Sequence, residues 1–194
     1  MKIGILALQG NYHQHKIVLD ILGIQSLLIR NTRELNGCDA LIIPGGESTT
    51  ISKQIDNNDL RKKLIDFALT YPVLGTCAGM IMLSSTDPTD NMIPLNLMDF
   101  QIKRNAWGRQ IHSFSANIIL DFDRNRSFHA VFIRAPKISS VGKDVQVLST
   151  YNDEPALLSN GMHLASVFHP EIGNDFRIHE YFMNQIGERI PSLK

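Results

Sequence analysis

Val73-Leu74-Gly75-Thr76-Cys77-Ala78-Gly79-Met80-Ile81 decides how this chain is read. A short apolar run enters a Gly-x-Cys-x-Gly turn and leaves as a second apolar run that suits a helix. This is the thiol form of the Gly-x-Ser-x-Gly elbow, in which a nucleophile sits on a sharp strand-to-helix turn. Strained backbone demands small neighbours, and Gly75 and Gly79 supply them. The helix start would turn its positive end toward the sulfur and favour thiolate. The Ala78 amide would be free to face a developing oxyanion. Taken alone, the pattern suits equally well a small buried core cysteine, the commonest fate of a free thiol. Cys38, beside Gly37 at the entrance to a strand, has no such setting and reads as core.

Outward from the elbow, the N-terminal half alternates strands with helices. Lys2 to Leu8 is a nearly continuous apolar run, the mark of a strand buried on both faces. Ile17, Val18, Ile21 and Leu22 follow at helical spacing, with Gly23 as a stop. Ser26 to Ile29 and Asp39 to Ile43 are further strands, the latter ending at Pro44-Gly45-Gly46. Leu60, Leu64, Phe67 and Ala68 form a helical face that Asn58 or Asp59 is placed to cap. The order to this point is strand, helix, strand, strand, helix, strand. It predicts an α/β fold: a three-layer open mixed sheet, mostly parallel, with helices on both faces.

Between about residues 95 and 168 the pieces are short and β-like: Ser113 to Leu120, Ala130 to Ile133, Val145 to Thr150, Ala156 to Leu158 and His163 to Phe168. Turn signals separate them at Asp123-Arg124-Asn125, Asn152-Asp153 and Asn160-Gly161, the last a strong hairpin signal. A mixed or antiparallel extension of the sheet is expected here. Asn174 then caps a last helix with Ile178, Tyr181, Phe182 and Ile186 on one face.

Bulk properties narrow the function. The 194 residues suit one domain spanning 1–194. Lys plus Arg and Asp plus Glu both number 19, so no basic surface suggests nucleic acid. No apolar run approaches the roughly 18 residues of a membrane span. The N-terminus reads as a first strand and not as a signal peptide, which gives the cytoplasm as the expected compartment. Two cysteines without a CxxC pair give no support for a metal site.

A thiol nucleophile needs an imidazole, and the imidazole an orienting acceptor. Among seven histidines, only His169 has a distinctive setting. It follows the strand-like Leu164-Ala165-Ser166-Val167-Phe168 and precedes Pro170-Glu171. In extended backbone, residues two apart point the same way, so Glu171 can reach the His169 ring. By itself His169-Pro170-Glu171 also fits a surface turn; joined to the elbow, it makes a Cys-His-Glu triad. His13-x-His15 can be read as a metal pair, but no third ligand is indicated.

These segments resemble the class I, triad-type glutamine amidotransferases. Further stretches are similar to the glutaminase subunits of pyridoxal 5'-phosphate synthases: Leu6-Ala7-Leu8-Gln9-Gly10, Pro44-Gly45-Gly46-Glu47-Ser48-Thr49-Thr50, Arg104-Asn105-Ala106-Trp107-Gly108-Arg109-Gln110 and Phe132-Ile133-Arg134-Ala135-Pro136. The blocks span residues 6 to 171 in the family's order. Two departures stand out. The family's His-Pro-Glu-Leu-Thr reads His-Pro-Glu-Ile172-Gly173, and its usual Phe is Trp107; neither touches the triad.

The resemblance implies a flavodoxin-like class I amidotransferase fold and hydrolysis of L-glutamine to glutamate and ammonia. It makes Cys77 the nucleophile, His169 the general base and acid, and Glu171 the orienting carboxylate. It places Gly46, Glu47 and Ser48 in a glutamine-binding turn and adds Arg104, Ile133 and Arg134 as glutamine contacts. An Arg suits the substrate carboxylate, a Glu its ammonium, and the amides of Gly46 and Ala78 an oxyanion. Arg109 is more in keeping with a structural role. No metal or cofactor is implied. The implied partner is a separate (β/α)₈-barrel synthase subunit that receives the ammonia in a hetero-oligomer making pyridoxal 5'-phosphate (vitamin B6). The family's glutaminase is poorly active alone, so the oxyanion hole is expected to complete on docking, by rotation of a peptide near Gln9-Gly10 or Gly45-Gly46. The competing readings are a triad amidotransferase serving another synthase, a Cys-elbow protease or stress protein of the same superfamily, and a non-catalytic scaffold module.

Overall fold

The computed structural model describes residues 1–87, 92–103 and 113–189. The N-terminal half runs β1 (Lys2–Leu6), α1 (Tyr12–Ile21), β2 (Gln25–Ile29), β3 (Ala40–Ile43), α2 (Ser48–Asn57), α3 (Arg61–Ala68), β4 (Val73–Thr76) and α4 (Ala78–Leu83). The second half adds β5 (Phe100–Lys103), β6 (Ser113–Leu120), β7 (Asp123–Ile133), β8 (Lys137–Val141), β9 (Gln146–Tyr151), β10 (Glu154–Ser159), β11 (Leu164–Ser166) and α5 (Arg177–Arg189).

Among the described residues the main sheet has the order β2-β1-β3-β4-β11-β10-β9. Neighbours from β2 to β11 are parallel, and β10 and β9 extend the sheet antiparallel. The α/β, mostly parallel fold expected from sequence is therefore present. Every residue of β3 and β4 is buried, as strands covered on both faces must be. Edge strand β2 alternates exposed and covered residues instead. From β1 the chain steps one way to β2, and from β3 the other way to β4. Right-handed crossovers then put α1 on one face and α2 and α3 on the other. The reversal leaves a crevice at the carboxyl ends of β1 and β3, where open α/β sheets bind ligands.

Several local expectations are corrected. Residues 48–57, unassigned from sequence, form α2. Their polar composition hides the i, i+4 pair Ile51 and Ile55, both buried. Glu47 caps this helix, its carboxylate accepting from the Thr49 and Thr50 amides. Asn58 and Asp59 end α2, Asp59 in the left-handed region at φ 54°, and do not cap α3. The buried face of α1 is His15, Val18 and Leu19, which leaves Ile17 and Ile21 about half or more exposed at 49% and 61%.

In the second half, β6–β7 and β5–β8 form separate two-stranded sheets and do not extend the main one. The turn between β6 and β7 falls at residues 121–122, because Asp123 already pairs with Leu120. At α5 the capping carboxylate is that of Asp175, which accepts from the Arg177 amide at 3.3 Å. Asn174 does not cap it. Ile178, Phe182 and Ile186 are buried as expected, and Tyr181 stacks on Phe122.

The elbow is tightly packed. A Cβ added at Gly79 would overlap the backbone carbonyl of Ile43, which holds α4 directly against the end of β3. Neither backbone can yield without moving a sheet strand. Gly79→Ala is expected to destabilise the fold by about 2 kcal/mol, within the usual range for overpacking. Urea unfolding measures this, and an unchanged midpoint would contradict the packing.

Candidate active site

Four loops at the carboxyl ends of β1, β3, β4 and β11 meet in one place. The β1 and β3 loops are tied where the Asn11 amide donates to the Gly45 carbonyl at 2.9 Å. The β4 and β11 ends are tied where the Cys77 amide donates to the Ser166 carbonyl at 2.8 Å. Hairpin β6–β7 closes the arrangement from above. Phe128 and Phe132 pack on Phe168, and the His169 amide donates to the Val131 carbonyl at 2.8 Å.

Cys77 sits between β4 and α4 with φ 49° and ψ −105°, a left-handed backbone that costs a non-glycine residue about 1–3 kcal/mol. Its thiol donates to the Ile133 carbonyl at 3.6 Å. The Ala78 amide opens α4 and has no acceptor inside the helix. His169 and Cys77 both lie against Gly45, where an added Cβ would overlap the imidazole and touch the Cys77 Cβ. His169 Nδ1 and Glu171 Oε1 are 2.6 Å apart; the contact is made across a turn and not along extended backbone, because the Ile172 amide closes back onto the His169 carbonyl at 3.2 Å. Asn11 Nδ2 adds a long donation of 3.4 Å to the same oxygen.

The electrostatics follow from this geometry. Burial alone would lower the His169 pKa. The Cys77 sulfur and the Glu171 carboxylate outweigh it and raise the value to about 10. The ring's Nε2 makes no hydrogen bond of ordinary geometry, so the sulfur acts on it by proximity. Burial pushes Glu171 up, but His15 and the His169 hydrogen bond bring it down to about 2. His15 attracts the carboxylate as a charge only when protonated, and its own burial lowers its pKa, so His169 is the dominant partner near neutrality. The pattern is an ionised carboxylate behind an imidazole that keeps its proton.

A cavity of about 800 Å³ opens over these groups. Of the residues singled out from sequence, Gly46, Glu47, Ser48, Cys77 and Ala78 line it, with Ile133, Arg134 and His169. Arg134 has a left-handed backbone at φ 45°. Glu171 lies behind His169, buried at 2% exposure. Glu47 lines the cavity with its carboxylate bound by Thr49 and Thr50. Burial raises its pKa, but hydrogen bonds from Thr49 and Thr50 bring it down to about 2. Its carboxylate therefore serves the cap of α2. Arg104, Trp107 and Arg109 lie outside the described residues.

Sequence reasoning gave no role in the site to the side chains of Gln9, Asn11, His15 and Thr76. Gln9 Oε1 accepts from the Glu47 amide at 2.9 Å and holds the Gly-Gly turn. The missed signal for His15 was position: it falls on the apolar stripe with Val18 and Leu19, where a polar residue needs a reason. His13, by contrast, is exposed, so the two histidines form no pair.

A strained thiol, a carboxylate-held imidazole and a crevice at the sheet's switch point thus meet in one α/β protein. The comparisons give it a family. The chain belongs to the SNO glutamine amidotransferase family, whose model matches residues 5–188. It is 43% identical over 188 residues to the "Pyridoxal 5'-phosphate synthase subunit PdxT" of Thermosipho africanus (strain TCF52B), covering 96% of this chain and 99% of that one. The protein of the same name from Francisella tularensis subsp. novicida (strain U112) is 42% identical over 182 residues, 94% of this chain and 97% of the relative. A solved structure described as "Crystal structure of glutamine amidotransferase" superposes with a TM-score of 0.89 at 39% identity, covering 95% of this chain and 98% of that one.

The buried titrating groups set the pH dependence of stability. Folded His169 keeps its proton up to about pH 10, while the unfolded chain releases it near its ordinary value of 6.5. Its contribution is full below that unfolded value and is lost as pH rises toward the folded one. His15 and His179 act oppositely, because burial first of all lowers both values, His179 to about 3. Their contribution is present above their unfolded value and is lost as pH falls. Urea midpoints should therefore peak near neutrality, and His169→Gln should flatten the alkaline limb. An unchanged alkaline limb in that variant would contradict the assignment.

Proposed function

We propose that the chain hydrolyses L-glutamine to L-glutamate and ammonia and delivers the ammonia to a synthase subunit that makes pyridoxal 5'-phosphate. The observation that carries this reading is the strained Cys77 sharing one cavity with a His169 whose Nδ1 is 2.6 Å from a buried Glu171.

The Cys77 thiolate attacks the side-chain carbonyl carbon of glutamine, forming the S–C bond. The amides of Gly46 and Ala78 receive the oxyanion. His169 Nε2 gives its proton to the departing nitrogen, the C–N bond breaks and ammonia leaves. The resulting γ-glutamyl thioester is attacked by water, whose proton His169 takes. The S–C bond then breaks, glutamate departs and the thiolate is restored beside a protonated ring. Glu171 holds the ring's tautomer and stabilises its charge throughout. No cofactor enters these steps.

Around the reacting carbon, Ser48, Ile133 and Arg134 would hold the substrate's polar ends, with Arg104 as a further contact. Arg134 suits the α-carboxylate. The negative Glu47, though committed to its helix cap, still favours the ammonium at that rim. The similar proteins are named as synthase subunits, which supports an obligate partner, proposed here as a (β/α)₈-barrel subunit in a cytoplasmic hetero-oligomer. Among the described residues no helix is long and apolar enough to cross a membrane.

The test is glutamate release from glutamine, with and without the barrel subunit, for the wild type and Cys77→Ala. Release stimulated by the barrel and reduced at least about 10³-fold by the substitution is expected. Release that ignores the barrel would redirect the ammonia to another acceptor. Release that survives Cys77→Ala would overturn the mechanism.

A further inference from the structure

Behind Glu171 lie two imidazoles that the proposed mechanism does not use. His15 from α1 and His179 from α5 are 0% and 1% exposed, with His15 Nδ1 3.0 Å from His179 Nε2. Two histidines buried against apolar faces would be an ordinary satisfied core pair if their contacts ended there. They do not. His15 Nε2 lies 3.5 Å from Glu171 Oε2, the oxygen that His169 leaves free. The same Nε2 lies 3.2 Å from Thr76 Oγ1, which accepts from the Gly45 amide at 3.1 Å.

We propose that His15, oriented by His179, is a positioning residue that fixes the second oxygen of Glu171 and links the triad to the Gly45–Gly46 turn through Thr76. The inference rests on the triad reading above.

The ionised carboxylate favours one arrangement of the protons in the chain. Glu171 is ionised and can only accept. A bare ring nitrogen facing its oxygen would be repelled, so His15 carries its proton on Nε2. His15 Nδ1 is then an acceptor, and His179 Nε2–H must donate to it. The titratable groups facing His15 are Glu171 and His169 from the β11 loop and His179 from α5. A protonated His15 would compete with His169 for the one carboxylate, and burial opposes that charge. The pair therefore stays neutral and polarised, with its donors aimed at Glu171. His15 Nε2 bonds Thr76 on the oxyanion-turn side and faces the carboxylate at 3.5 Å through its charge, without a hydrogen bond of ordinary geometry, so a shift at either would be felt at the other.

The test uses the full chain with its barrel partner. Partners that orient a reacting group from behind are commonly worth about 10–100-fold. His15→Leu should lower kcat by about that factor, with KM changing less than about threefold, because the substrate cavity is untouched. The acid limb of kcat/KM should move toward neutral pH, since Glu171 loses the favourable electrostatic contact with His15 and becomes more basic. His15→Gln, whose amide can replace Nε2–H, should recover most of the rate. Nitrogen NMR of ¹⁵N-histidine-labelled wild type should show His15 protonated at Nε2 only, a readout that needs no variant to fold. Wild-type kcat in His15→Leu, equal losses in His15→Leu and His15→Gln, or the Nδ1–H tautomer would each overturn the proposal. Cys77→Ala serves as the control. If it abolishes release while His15→Leu does not lower kcat, only this inference fails. If Cys77→Ala retains activity, the triad reading fails first.

Discussion

Cys77 occupies a backbone conformation that L-residues avoid, and the chain around it is arranged to hold it there. The amide is tied to Ser166, and the following turn has glycine where any side chain would strike β3. Strand β4, buried throughout, cannot relax toward solvent. A local cost of about 1–3 kcal/mol thus persists because the surroundings over-determine the turn. What the strain supplies is direction: the sulfur is presented at a sheet end and not folded into the core.

The same convergence brings the other groups within reach. Adjacent parallel strands deliver their carboxyl ends side by side, so residues far apart in sequence become neighbours without long side chains. The β6–β7 hairpin completes this by stacking aromatic rings on Phe168, the residue before His169. Its Ile133 carbonyl receives the thiol. The hairpin is thus part of the site's rigidity even though it lies outside the main sheet.

The parts of this architecture governed by local pattern were legible in the sequence. Apolar runs gave the parallel strands and the Gly-x-Cys-x-Gly segment gave the turn, while the contact of His169 with Glu171 was expected along extended backbone and is made across a turn. The parts set by tertiary contact were not. Helix α2 has only two buried large apolar residues to announce it, and its cap is a Glu, a weaker signal than Ser or Asp. The separation of β6–β7 from the main sheet depends on what packs above β9 and β10, which no local periodicity records. His15 and His179 are 164 positions apart and become a pair only when α1 and α5 lie on one face. The helix-capping bonds of Glu47 to Thr49 and Thr50 were likewise not legible, because α2 itself was not.

Cys77, and not the likewise buried Cys38, is the thiol proposed to be activated. Burial raises the Cys38 pKa, whereas Cys77 faces a protonated His169 over an open cavity. The most direct measurement is labelling with a glutamine-like chloroketone, read by intact mass and peptide mapping. One adduct is expected, on Cys77, prevented by excess glutamine and formed far more slowly in His169→Ala. An adduct on Cys38, no adduct, or a rate indifferent to His169 would contradict it.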